Sequence, residues 1–140
     1  MAQNGPHQKT INELADADAA IHTKGFWTAV RKLVGSLPNA DLSNFTLSTF
    51  VPDAYKFDPT AKQIIIYEVE NTSRLTADKL DDLAWFWFEW DCYDYDDWTV
   101  QVYVKDCLGT PARPLNMPNL YYQLVDRQIA QDAQEVRELT

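Results

Sequence analysis

The sequence lacks the signatures by which several common enzyme classes are recognised. It has only four glycines, and none stands in a phosphate-loop or dinucleotide-binding pattern. Nucleophile-elbow and zinc-protease motifs are absent as well. Its two cysteines, Cys92 and Cys107, are too few for a disulfide framework or a metal cluster, so we interpret both as reduced thiols.

Long apolar runs are also missing. No stretch resembles the hydrophobic region of a secretory signal, and none approaches the length of a membrane span. We therefore predict no membrane association and a cytoplasmic location, in a cell or in an infected host.

Positive charge is scarce. Twelve basic residues stand against twenty-one acidic ones, which gives a net charge of −9. Because phosphate contacts need Lys or Arg, this balance speaks against a nucleic-acid-binding enzyme, although bound metal ions would offset part of the deficit.

What is present indicates one packed domain. The chain has 140 residues, 46% of them hydrophobic and 13% aromatic, which is enough for a single core. We predict a disordered N-terminus over residues 1–9 and a single domain over residues 10–140. A first helix is expected from Thr10, where Thr10 and Glu13 match a capping box. A second helix resumes at Phe26 and ends before Pro38.

The most informative stretch is the run QIIIYEVE over residues 63–70. Its isoleucines predict a strand, and side-chain alternation places Glu68 and Glu70 on the same face as Ile64 and Ile66. Both faces are apolar in the first half, as in a central strand covered on both sides. Two glutamates at the end of such a strand are unusual if its only task is to fill a core.

A second strand, predicted over residues 47–57, precedes a turn sequence at 58–62. If residues 59–62 form a four-residue hairpin loop, Asp53 lies directly opposite Glu68, with their Cβ atoms about 4.5–5.5 Å apart. Facing carboxylates repel each other unless a cation lies between them, and Mg²⁺ prefers such oxygen ligands. A register slip of one residue would remove this geometry.

Pro52-Asp53, a hairpin, and Glu68-Val69-Glu70 at the end of an apolar strand followed by a helix together resemble the PD-(D/E)XK nuclease superfamily. The resemblance covers roughly residues 10–105. It implies a restriction-endonuclease-like α/β (α+β) core of helix, three-stranded antiparallel sheet, helix and strand. It also implies hydrolysis of phosphodiester bonds in DNA that depends on Mg²⁺ or Mn²⁺.

The resemblance also implies roles for individual residues. Asp53 and Glu68 would be metal ligands, and Glu70, which occupies the usual lysine position, would be a further ligand or a general base. Lys79, in the following helix, is placed to reach back and screen charge. Glu13 is a candidate for the accessory acid of the first helix, in competition with its capping role. The structural alternative is that Asp53, Glu68 and Glu70 are solvated acids at a sheet edge.

The second half of the sequence predicts a Trp-rich helix, a strand, a loop and a last helix. Either Ser73 or Thr76 would cap the Trp-rich helix, which leads into the acidic and aromatic segment 85–98. Residues 99–105 alternate as a strand, and 109–118 form a proline-rich loop. Asn119 would cap a final, C-terminal helix.

Three functions remain open on these grounds. The first is the metal-dependent nuclease, with DNA as its partner. The second is a non-catalytic acidic inhibitor of phage or plasmid type, which would imitate DNA and bind a nucleic-acid-processing enzyme through segment 85–98. The third is a structural homo-oligomer, a homodimer for example, built on the Trp-rich helix.

Overall fold

The computed structural model describes residues 5–38, 50–71, 75–93 and 95–139. In these ranges the elements follow one another as α1 (Pro6–Ala17), α2 (Phe26–Ser36), β1 (Ala54–Asp58), β2 (Gln63–Glu70), α3 (Ala77–Tyr93), β3 (Thr99–Asp106), β4 (Arg113–Pro114) and α4 (Met117–Leu139). The mixed content confirms the predicted α/β class and the C-terminal helix.

The four strands form one mixed sheet in the order β1-β2-β3-β4. β1 pairs antiparallel with β2, while β3 runs parallel to β2 because α3 carries the chain back across the sheet before β3 begins. The short β4 lies in the predicted loop 109–118 and pairs antiparallel with β3.

The three-stranded antiparallel arrangement implied by the resemblance is not confirmed. Among the described residues between α2 and α3, only β1 and β2 are strands. The predicted strand 47–57 is too long at its N-terminal end, because residues 50–53 are not in a strand. Its first residues, 47–49, lie outside the described residues.

β2 is the central strand that its sequence predicts. Ile64 and Ile66 are fully buried, and they join Val100 and Val102 of the parallel neighbour β3 in one core cluster. Residues of α2 and α3 complete this cluster, so Glu68, two positions beyond Ile66, lies on the same face as the main core.

Helix α1 begins earlier than predicted. Its first residue is Pro6, a favourable position because the missing N–H of proline would have no partner there anyway. Residues 6–9 are therefore helical, and the expectation that they are disordered is wrong for this part of the N-terminus. The capping box is also wrong, because the Thr10 hydroxyl donates to the Pro6 carbonyl, 2.9 Å away, from inside the helix.

Side-chain caps define the starts of α3 and α4. Thr76 accepts a hydrogen bond from the Lys79 amide at 3.2 Å and so caps α3. The alternative cap, Ser73, lies outside the described residues. α4 begins at Met117, where Asn116 accepts from the Asn119 amide at 3.1 Å, so the predicted cap Asn119 is inside the helix.

α3 continues to Tyr93. Cys92 is therefore part of this helix, where it is exposed. No helix within the described ranges is long and apolar enough to cross a membrane.

Candidate active site

The backbone brings Asp53 and Glu68 together at one edge of the sheet. Ala54 pairs with Tyr67 and Asp58 with Gln63, which is the register that a loop of four residues predicts. Asp53, the residue before β1, therefore lies opposite Glu68, near the end of β2. The edge is shared by the start of β1, the C-terminal ends of the parallel strands β2 and β3, and the start of α3.

The backbone of β2 and helix α1 both contact the Asp53 carboxylate. Its Oδ2 atom accepts a hydrogen bond from the backbone amide of Val69 at 2.8 Å. The same oxygen lies 3.3 Å from Nε2 of His7, which α1 carries to the site. These contacts fix the orientation of the Asp53 carboxylate while leaving its side chain 19% exposed.

Glu68 is the buried member of the pair, with only 1% of its surface exposed. Burial, and next the negative charge of Asp53, raise the pKa of Glu68 to about 8, although Lys79 acts in the opposite direction. At pH 7 the protonated form of Glu68 predominates. Its Oε1 atom is buried and has no hydrogen-bond partner among the described residues.

Lys79 reaches the site from the first turns of α3. Its Nζ atom lies 3.2 Å from Oε2 of Glu68 and donates to the carbonyl oxygen of Val51 at 2.7 Å. The backbone contact fixes the ammonium group beside the carboxylate pair. Lys79 therefore reaches back to Glu68, as the sequence predicts.

Glu70 is engaged elsewhere. Its Oε2 atom lies 3.5 Å from Nη2 of Arg113 in β4, and its Oε1 atom accepts from the Leu75 amide at 3.5 Å. The thiol of Cys107, directly after β3, donates to the Glu70 carbonyl at 3.3 Å. The structure thus links Glu70 to β4 and to the entry of α3, rather than to Asp53.

The first helix contributes a residue other than the predicted one. Glu13 is exposed on α1, and in the described part of the chain it has no hydrogen bond or ion pair with the site. His7, interpreted from sequence as part of a disordered terminus, contacts Asp53 instead. Pro6 is a sequence signal that the helix begins before His7, but it does not indicate that this helix lies beside Asp53.

An open cleft of about 280 Å³ adjoins Asp53. His7 and Lys24 provide polar and basic groups in its wall, and Val51, Thr23 and Pro52 provide most of the remainder. The cleft gives a ligand access to Asp53 from solvent.

The Asp53–Glu68 pair fits a hard divalent cation. The carboxylate oxygens are the ligand type that Mg²⁺ and Mn²⁺ prefer, and the unpartnered Oε1 atom of Glu68 is a buried acceptor that a cation would satisfy. No group of three or more His, Cys, Asp or Glu residues surrounds a single point in the described ranges. A cation here would take two carboxylates from the protein and its remaining ligands from water and substrate, as Mg²⁺ commonly does.

The acidic and aromatic segment 85–98 divides between core and surface. Trp90, Tyr95 and Trp98 are buried, and they belong to the core rather than to an interface. Trp85 and Tyr93 are exposed by 49% and 47%. Asp91 and Asp97 are exposed as well, whereas Asp94 lies outside the described residues.

Comparison with known proteins identifies no relative: no protein-family model, no curated protein and no solved structure matches the chain significantly.

Proposed function

We propose that the protein is a nuclease that uses Mg²⁺ or Mn²⁺ to hydrolyse phosphodiester bonds in DNA. The observation that supports this best is the Asp53–Glu68 pair, in which a buried glutamate with an unpartnered oxygen faces a second carboxylate. A buried oxygen without a partner is costly for the fold, and a cation that displaces the Glu68 proton would satisfy it.

In this proposal the chain's own residues bind the cation and orient the phosphate. When bound, the cation supplies an activated water and stabilises the negative charge that develops on phosphate. Asp53, oriented by Val69 and His7, and Glu68, fixed by β2, hold the cation. Lys79, anchored on the Val51 carbonyl, places a positive charge where the phosphate would lie.

Glu70 would act as a further ligand or general base after release from Arg113. The Glu70–Arg113 contact of 3.5 Å is largely exposed on the arginine side, so little energy opposes that release.

Local charge supports a phosphate substrate despite the overall charge of −9. Lys79 and Arg113 contact the glutamates of the site, and Lys24 and His7 line the adjoining cleft. Basic groups therefore collect at the edge where a phosphate would enter, as phosphate binding requires.

The test is cleavage of single- and double-stranded DNA with Mg²⁺ or Mn²⁺. Asp53→Asn removes a ligand charge and Lys79→Met removes the ammonium, so we expect each to lower cleavage by about 100-fold or more. Asp16→Asn, an exposed acid on α1, is the matched control and retains the wild-type rate. Wild-type rates in pure Asp53→Asn protein would overturn the proposal.

A second function, the acidic inhibitor, is favoured by one observation. Exposed Trp85 and Tyr93 lie in the same segment as exposed Asp91 and Asp97, a combination that suits a protein interface imitating nucleic acid. If the protein has this function, it and DNA would compete for the same site on a DNA-processing enzyme. The double variant Asp91→Asn/Asp97→Asn would then compete less well with DNA than the wild type does, and Asp53→Asn would compete equally well.

A further inference from the structure

The second half of α4 extends beyond the folded core. Leu124 is its last buried residue, and every residue from 126 to 139 is exposed. Arg127, near the start of this exposed part, forms an ion pair with Asp81 of α3. Nothing in the described part of the fold therefore covers the rest of this helix.

This exposed helix nevertheless carries a continuous apolar stripe. With 100° of rotation per residue, an arc of about 80° contains only apolar side chains: Pro118, Tyr122, Val125, Ile129, Ala133 and Val136. The large members Tyr122, Ile129 and Val136 are exposed by 66%, 62% and 61%, and they recur every seven residues. Such a repeat is typical of a helix that packs against another helix.

The stripe does not face the protein's own body. Leu124 and Arg127, which attach α4 to α3, lie on the side of the helix roughly opposite to it. Several polar side chains of the exposed half are hydrogen-bonded within the helix: Gln128 to Asp132, Gln134 to Glu138, and Arg137 to Gln134. The stripe is thus an apolar surface directed away from the core.

We propose that the stripe binds the same stripe of a second copy, in an antiparallel two-fold helix pair. Asp126 and Arg137 carry opposite charges and flank the stripe on the same edge. In an antiparallel two-fold pair, each edge of the stripe meets the same edge of the other copy. Asp126 therefore lies beside Arg137 of the second copy, and Arg137 lies beside Asp126 of the second copy. Each dimer then has two such pairs.

The packing of the stripe agrees with that register. When Asp126 lies opposite Arg137, Ile129 lies opposite Ala133 of the other copy, so that a large side chain meets a small one. Val125 then lies opposite Val136. On the other edge Glu135 lies opposite the uncharged Gln128. The two Asp132 side chains, each bound by Gln128 of its own helix, lie beside each other near the two-fold axis, so this edge has one like-charge contact against the two opposite-charge pairs.

The test uses two charge-reversed variants, Asp126→Arg and Arg137→Asp, in sedimentation velocity over a range of concentrations. The wild-type chain is expected to sediment as a dimer at high concentration. Each variant alone has like charges facing each other, so we expect its dissociation constant for dimerisation to be at least about 10-fold higher than that of the wild type. An equimolar mixture restores both opposite-charge pairs in the heterodimer, and we expect association close to that of the wild type.

Control variants separate the surface from the fold. Ile129→Glu puts a charge in the centre of the stripe and should leave the chain monomeric, with its circular dichroism retained. Gln131→Glu, an exposed change on the opposite side of the same helix, should associate as the wild type does.

A wild-type chain that remains monomeric at several hundred micromolar would overturn the proposal. So would a mixture no more associated than its two components, which would indicate a parallel pair or a partner of another kind. Neither result depends on nuclease activity, so this proposal and the proposed function are tested separately.

Discussion

At the scale of single residues, Glu68 combines two opposing requirements. β2 buries it beside the core, while the neighbouring Asp53 makes its negative charge unfavourable. The Lys79 ammonium at 3.2 Å does not compensate, because the pKa of Glu68 is still raised to about 8. The fold therefore holds a proton on Glu68 that a bound cation would have to displace.

Glu68 predicts how stability depends on pH. Its pKa is about 8 in the folded protein and about 4.5 in the unfolded chain, so the folded state binds the proton more tightly. This contribution to the free energy of unfolding is fully present below pH 4.5 and is lost as pH rises to about 8. We expect a loss of about 3–5 kcal/mol across that window, measured by urea denaturation without divalent ions.

Glu68→Gln is the matched variant, since glutamine has a similar shape and no ionisation. It should remove most of the pH dependence and be more stable than the wild type at pH 9. An equally steep loss of stability in Glu68→Gln would show that another group is responsible.

The sequence predicts the Asp53–Glu68 pair because two local rules are sufficient for it. Strand alternation fixes the face of Glu68, and the turn at 58–62 fixes the loop length and hence the register. His7 is not predicted, because its role depends on where α1 lies against the sheet. The contact of Glu70 with Arg113 likewise depends on β4, a strand of two residues that the sequence does not indicate.

At the scale of elements, α3 connects the site to the core. Its first turns carry Lys79, while Trp90, 1% exposed, anchors its other end. The Trp90 ring contacts Tyr95 with a centroid separation of 4.6 Å and also contacts Phe86. Packing at Trp90 therefore holds the helix that presents Lys79.

Trp90→Ala is expected to lower the free energy of unfolding by about 3–5 kcal/mol, because it leaves a large cavity in the core. Trp85→Ala is the control on the same helix, where half of the ring is already exposed, and should cost about 1 kcal/mol or less. Urea denaturation of both variants measures the difference. Equal losses would contradict the described division of this helix into a buried and an exposed side.

The sequence predicts best those elements whose apolar residues recur with a clear helical or strand period. β2 and the strand over 99–105 follow from their β-branched residues, and α2 follows from its helical spacing and Pro38. The starts of α1 and α4 are misplaced, since Thr10 and Asn119 match cap patterns equally well in sequence. Local features favour the observed starts: Pro6 occupies the first position of α1, and Asn116 accepts the Asn119 amide at the start of α4.

At the scale of the whole molecule, one sheet edge combines basic groups with the acids of the candidate site. The chain is strongly acidic, yet Lys24, Lys79 and Arg113 collect around one sheet edge. The apolar stripe of α4 is a second surface, so the proposed catalysis and the proposed self-association would use different parts of the fold. Composition alone predicts neither location, because both depend on residues brought together from distant parts of the chain.

The central claim, a cation site between Asp53 and Glu68, is tested most directly by calorimetric titration of Mg²⁺ and Mn²⁺. We predict saturable binding whose affinity rises with pH up to about 8, because the cation must displace the Glu68 proton. Binding should be lost in Asp53→Asn/Glu68→Gln and retained in Asp16→Asn. Absence of binding at pH 8.5, or equal binding in the double variant, would contradict the claim.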